Sequence, residues 1–595
     1  MNQKLRFSLL AIAFFGIALS AWKMYQLPLW SWWILLLLTS AWSFWLLAAH
    51  RLYTKPEKGW RWLGLSTLSG FLLSAGFPVS PLTPLMFIAF VPLLILIDEI
   101  LASDESIKKR LLMRYGYNTF VWWNVLVTFW VGNAGFIPGL IANFLNSFFM
   151  SLPILAYFIC KERFFIHKNQ YFLSFLCFTS FWFSWEHLHL SWDLSWPWLT
   201  LGNAFAEKTD WIQWYEFTGV FGGGLWILVV NFLVYACFNL EKSAFDFFNK
   251  KQLTFVALTL FVPIGFSFLI KNSRKNEISD RKSVEIVALQ PNYEPHYEKF
   301  EVPDADQLRR FLTLSNQNIT KNTDYLIFPE TSFGLFDADH LESYEPIQAF
   351  QALADSFPKL HIVSGFDMFR LYPSGDNLPP TVRQRGNRNI EIYNAATQIV
   401  HNQQNMPIYK KSKLVPGAEI LPFYKYLSFL KPLFKRFGGT VEGLGGQSER
   451  NLLWNADGIG IAPVICYESI YGDYCADYVR HGAKAMFVMT NDGWWDDTPG
   501  YRQHLDFARL RAVEFRLPVV RSANTGSSAV INRLGEVEMA TEYGIATAVK
   551  SKIILGKDMT FYARYGDILP KIALIISLLF VVFVFLQKKP TFVSK

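Results

Sequence analysis

The chain has 595 residues, of which 52% are hydrophobic and 17% aromatic. Soluble domains need fewer apolar side chains than this for their cores, so part of the chain is expected to face lipid. The formal net charge is +8, but the basic residues form no long stripe and no nucleic-acid-binding motif occurs, so we expect no nucleic-acid partner. The five cysteines are too few and too scattered for a disulfide framework. No CxxC pair occurs, and we expect neither a metal site nor a cofactor.

Apolar stretches long enough to cross a hydrocarbon core of about 30 Å recur through the first half of the chain, and one more closes it. The first stretch has the features of either a span or a cleaved signal peptide, because Lys4 and Arg6 precede a short apolar run. A second hydrophobic run follows at once, which favours a retained span. We predict ten spans, near residues 5–25, 29–50, 61–78, 81–101, 115–135, 139–160, 171–190, 219–240, 252–271 and 568–586.

The positions of lysine and arginine predict the orientation of these spans. The connections 78–81 and 134–139 carry no basic residue. The loops on the other side hold Arg51, Lys55, Lys58, Arg61, Lys108, Lys109, Arg110, Arg114, Lys161, Arg163 and Lys168. Both termini are therefore expected in the cytoplasm, and residues 272–567, which follow a ninth span, are expected outside it.

The segment 272–567 differs in character, with frequent charged residues and short β-rich runs between amphipathic stretches. A helix is predicted over 501–516, with Leu510, Val513 and Leu517 on one face and Pro518 as its stop. Strands are predicted over 284–289, 325–328, 361–364, 393–400, 459–466, 485–490, 519–522 and 528–532. This alternation predicts a layered α/β or α+β domain.

Three predicted strand ends finish in a reactive residue. They are Glu330 in Leu326-Ile-Phe-Pro-Glu330-Thr-Ser, Lys411 in Tyr409-Lys-Lys411, and Cys466 in Ile461-Ala-Pro-Val-Ile-Cys466-Tyr-Glu468. Cysteine-based acyl transfer needs a carboxylate to take the thiol proton, and an ammonium and a backbone N–H to stabilise the oxyanion. Each signal is weak alone, since a cysteine that ends an apolar strand is more often structural than nucleophilic. Their joint appearance in this order favours the catalytic interpretation.

The three segments together resemble the nitrilase (carbon-nitrogen hydrolase) superfamily, whose triad is Glu, Lys and Cys in that chain order. The resemblance implies an αββα-sandwich fold for 272–567, with Glu330, Lys411 and Cys466 as the triad. Further runs match as well: Thr490-Asn-Asp-Gly-Trp494-Trp, Gln503-His504-Leu and Arg521-Ser-Ala-Asn524-Thr-Gly.

The membrane half narrows the resemblance to one branch, the apolipoprotein N-acyltransferase family. Leu73-Ser-Ala-Gly-Phe77-Pro and Trp185-Glu186, followed by Trp196-Pro-Trp198-Leu, are similar to that family. The implied domains are two additional transmembrane helices at 1–50, a transmembrane helical domain at 51–271, an extracytoplasmic nitrilase-like catalytic domain at 272–567, and a closing transmembrane helix with a cytoplasmic tail at 568–595.

The resemblance implies that an acyl chain passes from the sn-1 position of a phospholipid, via a thioester on Cys466, to the α-amino group of the N-terminal S-diacylglyceryl-cysteine of apolipoproteins. This is the last step of lipoprotein maturation, and it implies a multi-pass protein of the bacterial inner membrane with a periplasmic catalytic domain. Glu419 falls on the family's supporting Glu, which would hold the Lys411 ammonium. Tyr467, Glu468 and Trp494 occupy positions that the family uses around the pocket, where direct contact and packing or indirect roles are equally open.

Two alternatives differ in chemistry or in class. A membrane-tethered amidase or nitrilase-type hydrolase would use the same triad, with water in place of the amine. A transporter or lipid scaffold with an inactive domain is disfavoured by the intact triad and by the lack of Gly/Pro-broken spans in repeated halves. After Gln290-Pro-Asn, where some family members place a Trp, this sequence has Tyr297 and Phe300, so no role is assigned to an aromatic residue there.

Overall fold

The computed structural model describes residues 3–164, 170–237, 250–276, 282–299, 301–373, 375, 378–402, 405–427, 429 and 443–586. As far as these ranges extend, one compact unit is formed by 1–212, 220–267 and 567–595, and the other by 213–219 and 268–566. The division lies close to the domain boundaries expected at 271 and 567, although the domain assignment stays a prediction. Phe300 and the tail with Lys588 and Lys589 lie outside the described residues.

The first unit is helical throughout its described part. Its helices and helical turns are Gln3–Gln26, Trp33–Ala48, His50–Thr54, Gly59–Gly76, Thr83–Phe87, Val91–Ala102, Lys108–Thr128, Val131–Ala134, Phe136–Leu140, Ile141–Leu145, Asn146–Phe164, Tyr171–His189, Leu201–Phe205, Thr209–Trp211, Val220–Cys237, Lys250–Lys275, which ends in the second unit, and Ile568–Leu586.

Six helical stretches in the described part are long and apolar enough to cross a membrane. They are Gln3–Gln26, Thr83–Ala102, Phe136–Phe164, Val220–Cys237, Lys251–Lys275 and Ile568–Leu586. Helices also occupy the other four predicted spans, at Trp33–Ala48, Gly59–Gly76, Lys108–Thr128 and Tyr171–His189. Since these four do not meet the same limits of length and hydropathy, the count of ten spans stays a prediction.

Buried polar side chains in the first unit bind one another. Asn146 donates a 2.8 Å hydrogen bond to Asn124. Glu186 accepts from the Trp182 indole and from the backbone N–H of Leu201, both at 2.9 Å. Polar groups in apolar surroundings need such partners, and these contacts fit a helix-packing role for Glu186 and Asn124.

The second unit is built on two mixed β-sheets. The described strands are β1 Ser283–Gln290, β2 Tyr325–Ile327, β3 Phe336–Asp337, β4 His361–Tyr372, β5 Arg383–Arg385, β6 Arg388–Ile399, β7 Ile408–Lys410, β8 Leu453–Trp454, β9 Gly460–Ile465, β10 Ala483–Thr490, β11 Val519–Ala523, β12 Ala529–Ile531, β13 Val537–Ala540 and β14 Thr547–Ile554. The helices and helical turns of this unit are Tyr215–Thr218, Asp304–Asn318, Leu341–Ser343, Glu345–Ser356, Tyr424–Leu427, Cys466–Ile470, Gly472–Arg480, Asp492–Trp495, Pro499–Phe515 and Phe561–Tyr565.

Strand order places parallel strands in the centre of each sheet. The first sheet runs β14-β1-β2-β4-β6-β5, with β3 beside β4 and β7 beside β6, and the second runs β13-β12-β11-β10-β9-β8. β1, β2 and β4 are parallel to one another, as are β9, β10 and β11. Every residue of β9 is buried, as expected for a strand covered on both faces.

The two sheets pack against each other and carry helices on their outer faces. Ser522 on β11 donates a 2.7 Å hydrogen bond to the carbonyl of Leu289 on β1. Phe311 and Phe350, on the helices Asp304–Asn318 and Glu345–Ser356, pack against Phe328 with ring centroids 5.0 and 4.8 Å apart. The helix Pro499–Phe515 packs on β11 and β12 of the second sheet. This layering confirms the predicted αββα sandwich.

The eight predicted strands are all present, and β4 and β6 extend furthest beyond the predicted bounds. β4 and β6 form one antiparallel pair in which Ile362 to Tyr372 face Ile399 to Asn389. The sequence interpretation also missed β14, which pairs with β1 along its whole length. Charged residues interrupt the apolar pattern of β14, so the pairing and not the composition defines this strand.

Within the second unit, a buried carboxylate connects the segment 213–219 to residues of 268–566. Glu216 is 2% exposed and accepts hydrogen bonds of 2.6 Å from Nε of Arg516 and 3.0 Å from Nη2 of Arg274. Arg516 also donates a 2.6 Å hydrogen bond to the carbonyl of Gln213. Buried charges need close partners of opposite sign, and here two guanidinium groups share one carboxylate.

Candidate active site

Glu330 follows β2 in a tight turn. The next residue, Thr331, has a φ of 48°, a left-handed conformation that β-branched residues rarely adopt, so surrounding contacts must hold the turn. The Glu330 side chain is buried. Its Oε1 accepts hydrogen bonds of 2.6 Å from Nδ2 of Asn394 on β6 and 2.8 Å from Nζ of Lys411. These two contacts hold the carboxylate in one orientation.

β4 passes close to this turn at Gly365. The Gly365 N–H donates to the carbonyl of Pro329 at 3.2 Å, and the Gly365 carbonyl accepts from Ser332 at 2.8 Å. A Cβ atom at position 365 would lie 2.8 Å from the Cα of Glu330 and 2.9 Å from the Pro329 oxygen. Because both are backbone atoms, any side chain here would displace the turn that carries Glu330.

Lys411 directly follows β7 and is 1% exposed. Its backbone N–H donates a 2.8 Å hydrogen bond to the carbonyl of Asn394, which places the side chain beside Glu330. Its Nζ lies 2.8 Å from Glu330 and 2.8 Å from Oε1 of Glu419. Burial acts to lower the pKa of Lys411, but the two carboxylates raise it well above its ordinary value. Lys411 is therefore a fixed positive charge.

Glu419 is held by its own segment as well as by Lys411. Its Oε2 accepts a 2.8 Å hydrogen bond from the backbone N–H of Val415. Both carboxylate oxygens thus have partners. The expected contact between Glu419 and the Lys411 ammonium is present in the structure.

Cys466 is the first residue after β9 and begins the helical turn Cys466–Ile470. Its φ is 47°, so a second residue of the site has a left-handed backbone. Burial raises the pKa of the thiol, the Glu330 charge raises it further and the Lys411 charge lowers it. The thiol is therefore protonated at neutral pH and needs a base before it can react as a nucleophile.

Glu468 is fully buried and connects two segments of the site. Its Oε1 accepts hydrogen bonds of 2.7 Å from the Ser412 N–H and 2.7 Å from the Tyr409 hydroxyl. Its Oε2 accepts a 2.9 Å bond from the N–H of Ile465. The carboxylate thus joins the residues on both sides of Lys411 to the strand that ends at Cys466. This geometry fits an indirect role for Glu468.

A buried polar network contacts the backbone of the Cys466 turn. Asp492 Oδ1 lies 2.8 Å from Nδ1 of His504, and Asp492 Oδ2 accepts a 2.6 Å bond from Arg521. Nε2 of His504 lies 2.9 Å from the Ser469 hydroxyl and 3.2 Å from the Cys466 carbonyl. Burial lowers the pKa of His504, although the Asp492 charge acts to raise it. The network thus fixes the carbonyl of Cys466, the residue with the left-handed backbone.

The other two predicted pocket residues are aromatic. Tyr467 is buried and its ring packs edge-on against Tyr471, with centroids 5.3 Å apart. Trp494 is half-buried, and its ring meets His296 edge-on at 5.1 Å. Within the described ranges, no group of three or more His, Cys, Asp or Glu is arranged to hold a metal ion.

Three polar residues around Glu330 are not among those predicted from the sequence: Asn394, Asp367 and Lys299. Asp367 and Asn394 face each other in the register of β4 and β6. Strand register brings them together, and no local motif encodes it. The sequence does indicate a partner for Asn394, because this amide side chain lies inside the predicted strand 393–400 and an amide in a buried strand needs a hydrogen-bond partner.

Two protein-family models match the chain. The apolipoprotein N-acyltransferase N-terminal domain matches residues 69–233, and the carbon-nitrogen hydrolase family matches residues 289–547. The apolipoprotein N-acyltransferase of Chlorobaculum tepidum is 27% identical over 543 residues, which cover 89% of this chain and 96% of that protein. The protein of the same name from Geobacter metallireducens is 24% identical over 521 residues, covering 85% and 91%.

The chain belongs to the apolipoprotein N-acyltransferase family. As a member of this family, within the nitrilase superfamily, the protein is an acyltransferase with transmembrane helices. The resemblance predicted from the motifs is therefore confirmed. Among solved structures, the carbon-nitrogen hydrolase of Helicobacter pylori G27 is 12% identical, covers 46% of this chain and 89% of that chain, and has a TM-score of 0.33. The family membership rests on the sequence matches.

Gly365→Ala is expected to lower the rate of acyl transfer about 10- to 100-fold, since a displacement of about 1 Å in a positioned group has effects of this size. The measurement is the initial rate at saturating substrate for the purified full-length protein. Gly334→Ala is the matched control, because a Cβ there meets only Asp304 Oδ2 at 3.8 Å. Equal rates for the two variants would show that the turn carrying Glu330 tolerates displacement.

Proposed function

We propose that the protein transfers an acyl chain from the sn-1 position of a phospholipid, via a thioester on Cys466, to the α-amino group of the N-terminal S-diacylglyceryl-cysteine of apolipoproteins. The supporting observation is the buried Lys411 ammonium, 2.8 Å from both Glu330 and Glu419, in a chain whose relatives are named apolipoprotein N-acyltransferase. We place the protein in the bacterial inner membrane, with a periplasmic catalytic domain and cytoplasmic termini.

In the first half-reaction the Glu330 carboxylate takes the thiol proton as the Cys466 sulfur attacks the ester carbonyl of the phospholipid. The negative charge that develops on the carbonyl oxygen is stabilised by the Lys411 ammonium and by a backbone N–H of the Cys466 turn. Collapse breaks the ester C–O bond, and Glu330 returns the proton to the departing lysophospholipid hydroxyl. An acyl-thioester remains on Cys466.

In the second half-reaction the neutral α-amino group of the lipoprotein cysteine attacks the thioester carbonyl. Glu330 takes a proton from the attacking nitrogen, and Lys411 again stabilises the oxyanion. Collapse breaks the C–S bond, and the Cys466 sulfur leaves with the proton that Glu330 holds. The products are an amide on the lipoprotein and the original thiol.

The raised pKa of Cys466 fits this scheme. A thiol that stays protonated at rest is less prone to oxidation, and it reacts as a nucleophile once a base takes its proton. In this scheme Glu419 holds Lys411, and Glu468 holds the segments that carry Lys411 and Cys466. Tyr467 and Trp494 are proposed to border the acyl pocket.

The test incubates purified full-length protein with a phospholipid that carries a labelled sn-1 chain, without acceptor, and maps the label by intact mass and peptide mapping. The expected result is one hydroxylamine-labile acyl group on the peptide that contains Cys466. A diacylglyceryl-cysteine peptide added afterwards should take the label onto its α-amino group.

Two outcomes would contradict the proposal. Failure to form any adduct on Cys466 would exclude the thioester route. An adduct that water discharges while the peptide stays unmodified would favour the membrane-tethered hydrolase, which needs the same three residues.

A further inference from the structure

A second buried lysine lies next to Glu330. Lys299, between β1 and the helix Asp304–Asn318, is 4% exposed. Its Nζ donates to the carbonyl of Glu330 at 3.3 Å and to the hydroxyl of Thr331. Its own carbonyl accepts a 3.0 Å bond from Nε2 of Gln307. Lys299 therefore contacts the turn that carries the proposed base, and its backbone is held from the helix side.

The turn that Lys299 contacts has a strained backbone. Thr331 has a φ of 48°, a conformation that persists only where surrounding contacts hold it. The bonds from Lys299 reach the carbonyl before Thr331 and the side chain of Thr331 itself. The backbone of Gly365 on β4 also forms hydrogen bonds with Pro329 and Ser332 in this turn. Lys299 and β4 thus both hold the turn.

Lys299 also supplies a positive charge to surroundings of Glu330 that are rich in carboxyl groups. Glu330, Glu419 and Asp367 provide three carboxyl groups, while Lys411 provides one ammonium in direct contact with two of them. Burial lowers the pKa of Lys299 to about 8, although the Asp367 and Glu330 charges raise it. Burial raises the pKa of Asp367 to about 6, although the Lys299 charge lowers it. Lys299 is thus the second cation, besides Lys411, that interacts with these carboxyl groups.

We propose that Lys299 is a positioning residue for the reaction: through its bonds to the Glu330–Thr331 turn and its positive charge, it keeps the Glu330 carboxylate oriented and ionised, ready to accept the Cys466 proton. This inference rests on the proposed role of Glu330 as the base. Lys299 itself forms no bond to substrate in this scheme and acts only through Glu330.

The groups that face Glu330 determine what a pH profile would report. They are Lys411 and Glu419 from the segment after β7, Asp367 from β4, the neutral Asn394 from β6, Cys466 from the end of β9, and Lys299. Gln307, which binds Lys299 from the neighbouring helix, is neutral. Loss of the Lys299 charge removes a positive charge next to the proposed base and should therefore move the acid limb of Cys466 reactivity to higher pH.

The test measures the rate at which iodoacetamide alkylates Cys466 between pH 5 and 10 in the full-length protein, with peptide mapping to separate Cys466 from the other cysteines. Lys299→Met is expected to move the acid limb up by about one pH unit, a typical size for the loss of one nearby charge. Alkylation should be about tenfold slower at pH values below the acid limb of the wild type, and the difference should close above that limb.

Two further variants separate charge from geometry. Lys299→Arg keeps the charge at every pH used, so its acid limb should lie where that of the wild type lies. Thr331→Val removes one acceptor of Lys299 and keeps the cation, so it should slow alkylation without moving the limb. Lys271→Met is the matched control, since Lys271 is also buried and paired, with Glu536 at 2.7 Å. The limb should not move in this control.

An unchanged profile in Lys299→Met, or a rate loss that is uniform across pH, would overturn the proposal. If Lys299→Met does not fold, the profile of Lys299→Arg decides, because an acid limb that moves although the positive charge is kept would overturn the role proposed for that charge. Alkylation needs neither phospholipid nor lipoprotein. Failure of acyl transfer with a normal alkylation profile would therefore contradict the proposed function and leave the role of Lys299 intact.

Discussion

Cys466→Ala is expected to abolish both the acyl adduct and acyl transfer. The sulfur is the atom that carries the acyl group in the proposed mechanism, and alanine offers no nucleophile in its place. Intact mass after incubation with labelled phospholipid should show no covalent label. Cys466→Ser tests the nucleophile more finely. A hydroxyl ionises far less readily than a thiol, so any adduct should form at least about 10³-fold more slowly and resist hydroxylamine as an ester.

The matched control for these variants is Cys475→Ala. Cys475 lies nine residues further along the chain and is fully buried, and burial raises the pKa of its thiol. It is outside the contacts made by Glu330 and Lys411. Cys475→Ala should retain the adduct and the transfer activity. Residual transfer in Cys466→Ala, with folding confirmed by thermal unfolding, would require a mechanism without a covalent intermediate.

Lys411→Met is expected to reduce the rate of thioester formation about 10³-fold or more, because it removes the charge proposed to stabilise the oxyanion. It should also destabilise the protein by about 3 kcal/mol, since a buried carboxylate pair would lose its shared cation. The measurements are adduct formation by mass and the thermal midpoint in detergent at pH 8.

A double variant separates the two effects. Lys411→Met combined with Glu419→Gln leaves Glu330 as the one carboxylate of the former contact with Lys411, and should regain most of the lost stability at pH 8. The rate of thioester formation should not recover. If the double variant regained activity as well, the ammonium would serve to neutralise the pocket and would have no direct part in catalysis.

The strand-end motifs made Glu330, Lys411 and Cys466 visible in the sequence. Glu330 and Cys466 each follow or end a predicted apolar strand, so the local pattern identifies both the strand and its polar end. The strand before Lys411, β7, was not predicted, and Lys411 was identified by its motif. The contact of Lys411 with Glu330 and Glu419 agrees with that interpretation. Catalytic roles for all three residues remain proposals that the variants above test.

The environment of these residues was not predictable in the same way. Asn394 reaches Glu330 because β6 pairs with β4, in a register that places it opposite Asp367. Lys299 lies 31 residues before Glu330 in the sequence and contacts it only after the chain has formed a helix and a second strand. Periodicity describes one element at a time, whereas these contacts arise between elements. The buried charge of Glu216 escaped prediction for the same reason.

The attachment of Glu216 has a practical consequence for dividing this protein into fragments. Residues 268–566 look like a self-contained piece to express without the helices, yet the carboxylate that Arg516 and Arg274 share belongs to 213–219. A fragment that begins at residue 268 would lack Glu216, so the two guanidinium groups would lose their carboxylate partner. This loss would destabilise the fragment, because buried charges need close partners of opposite sign. A soluble fragment would need that short segment returned to it, by fusion or as a peptide added in trans.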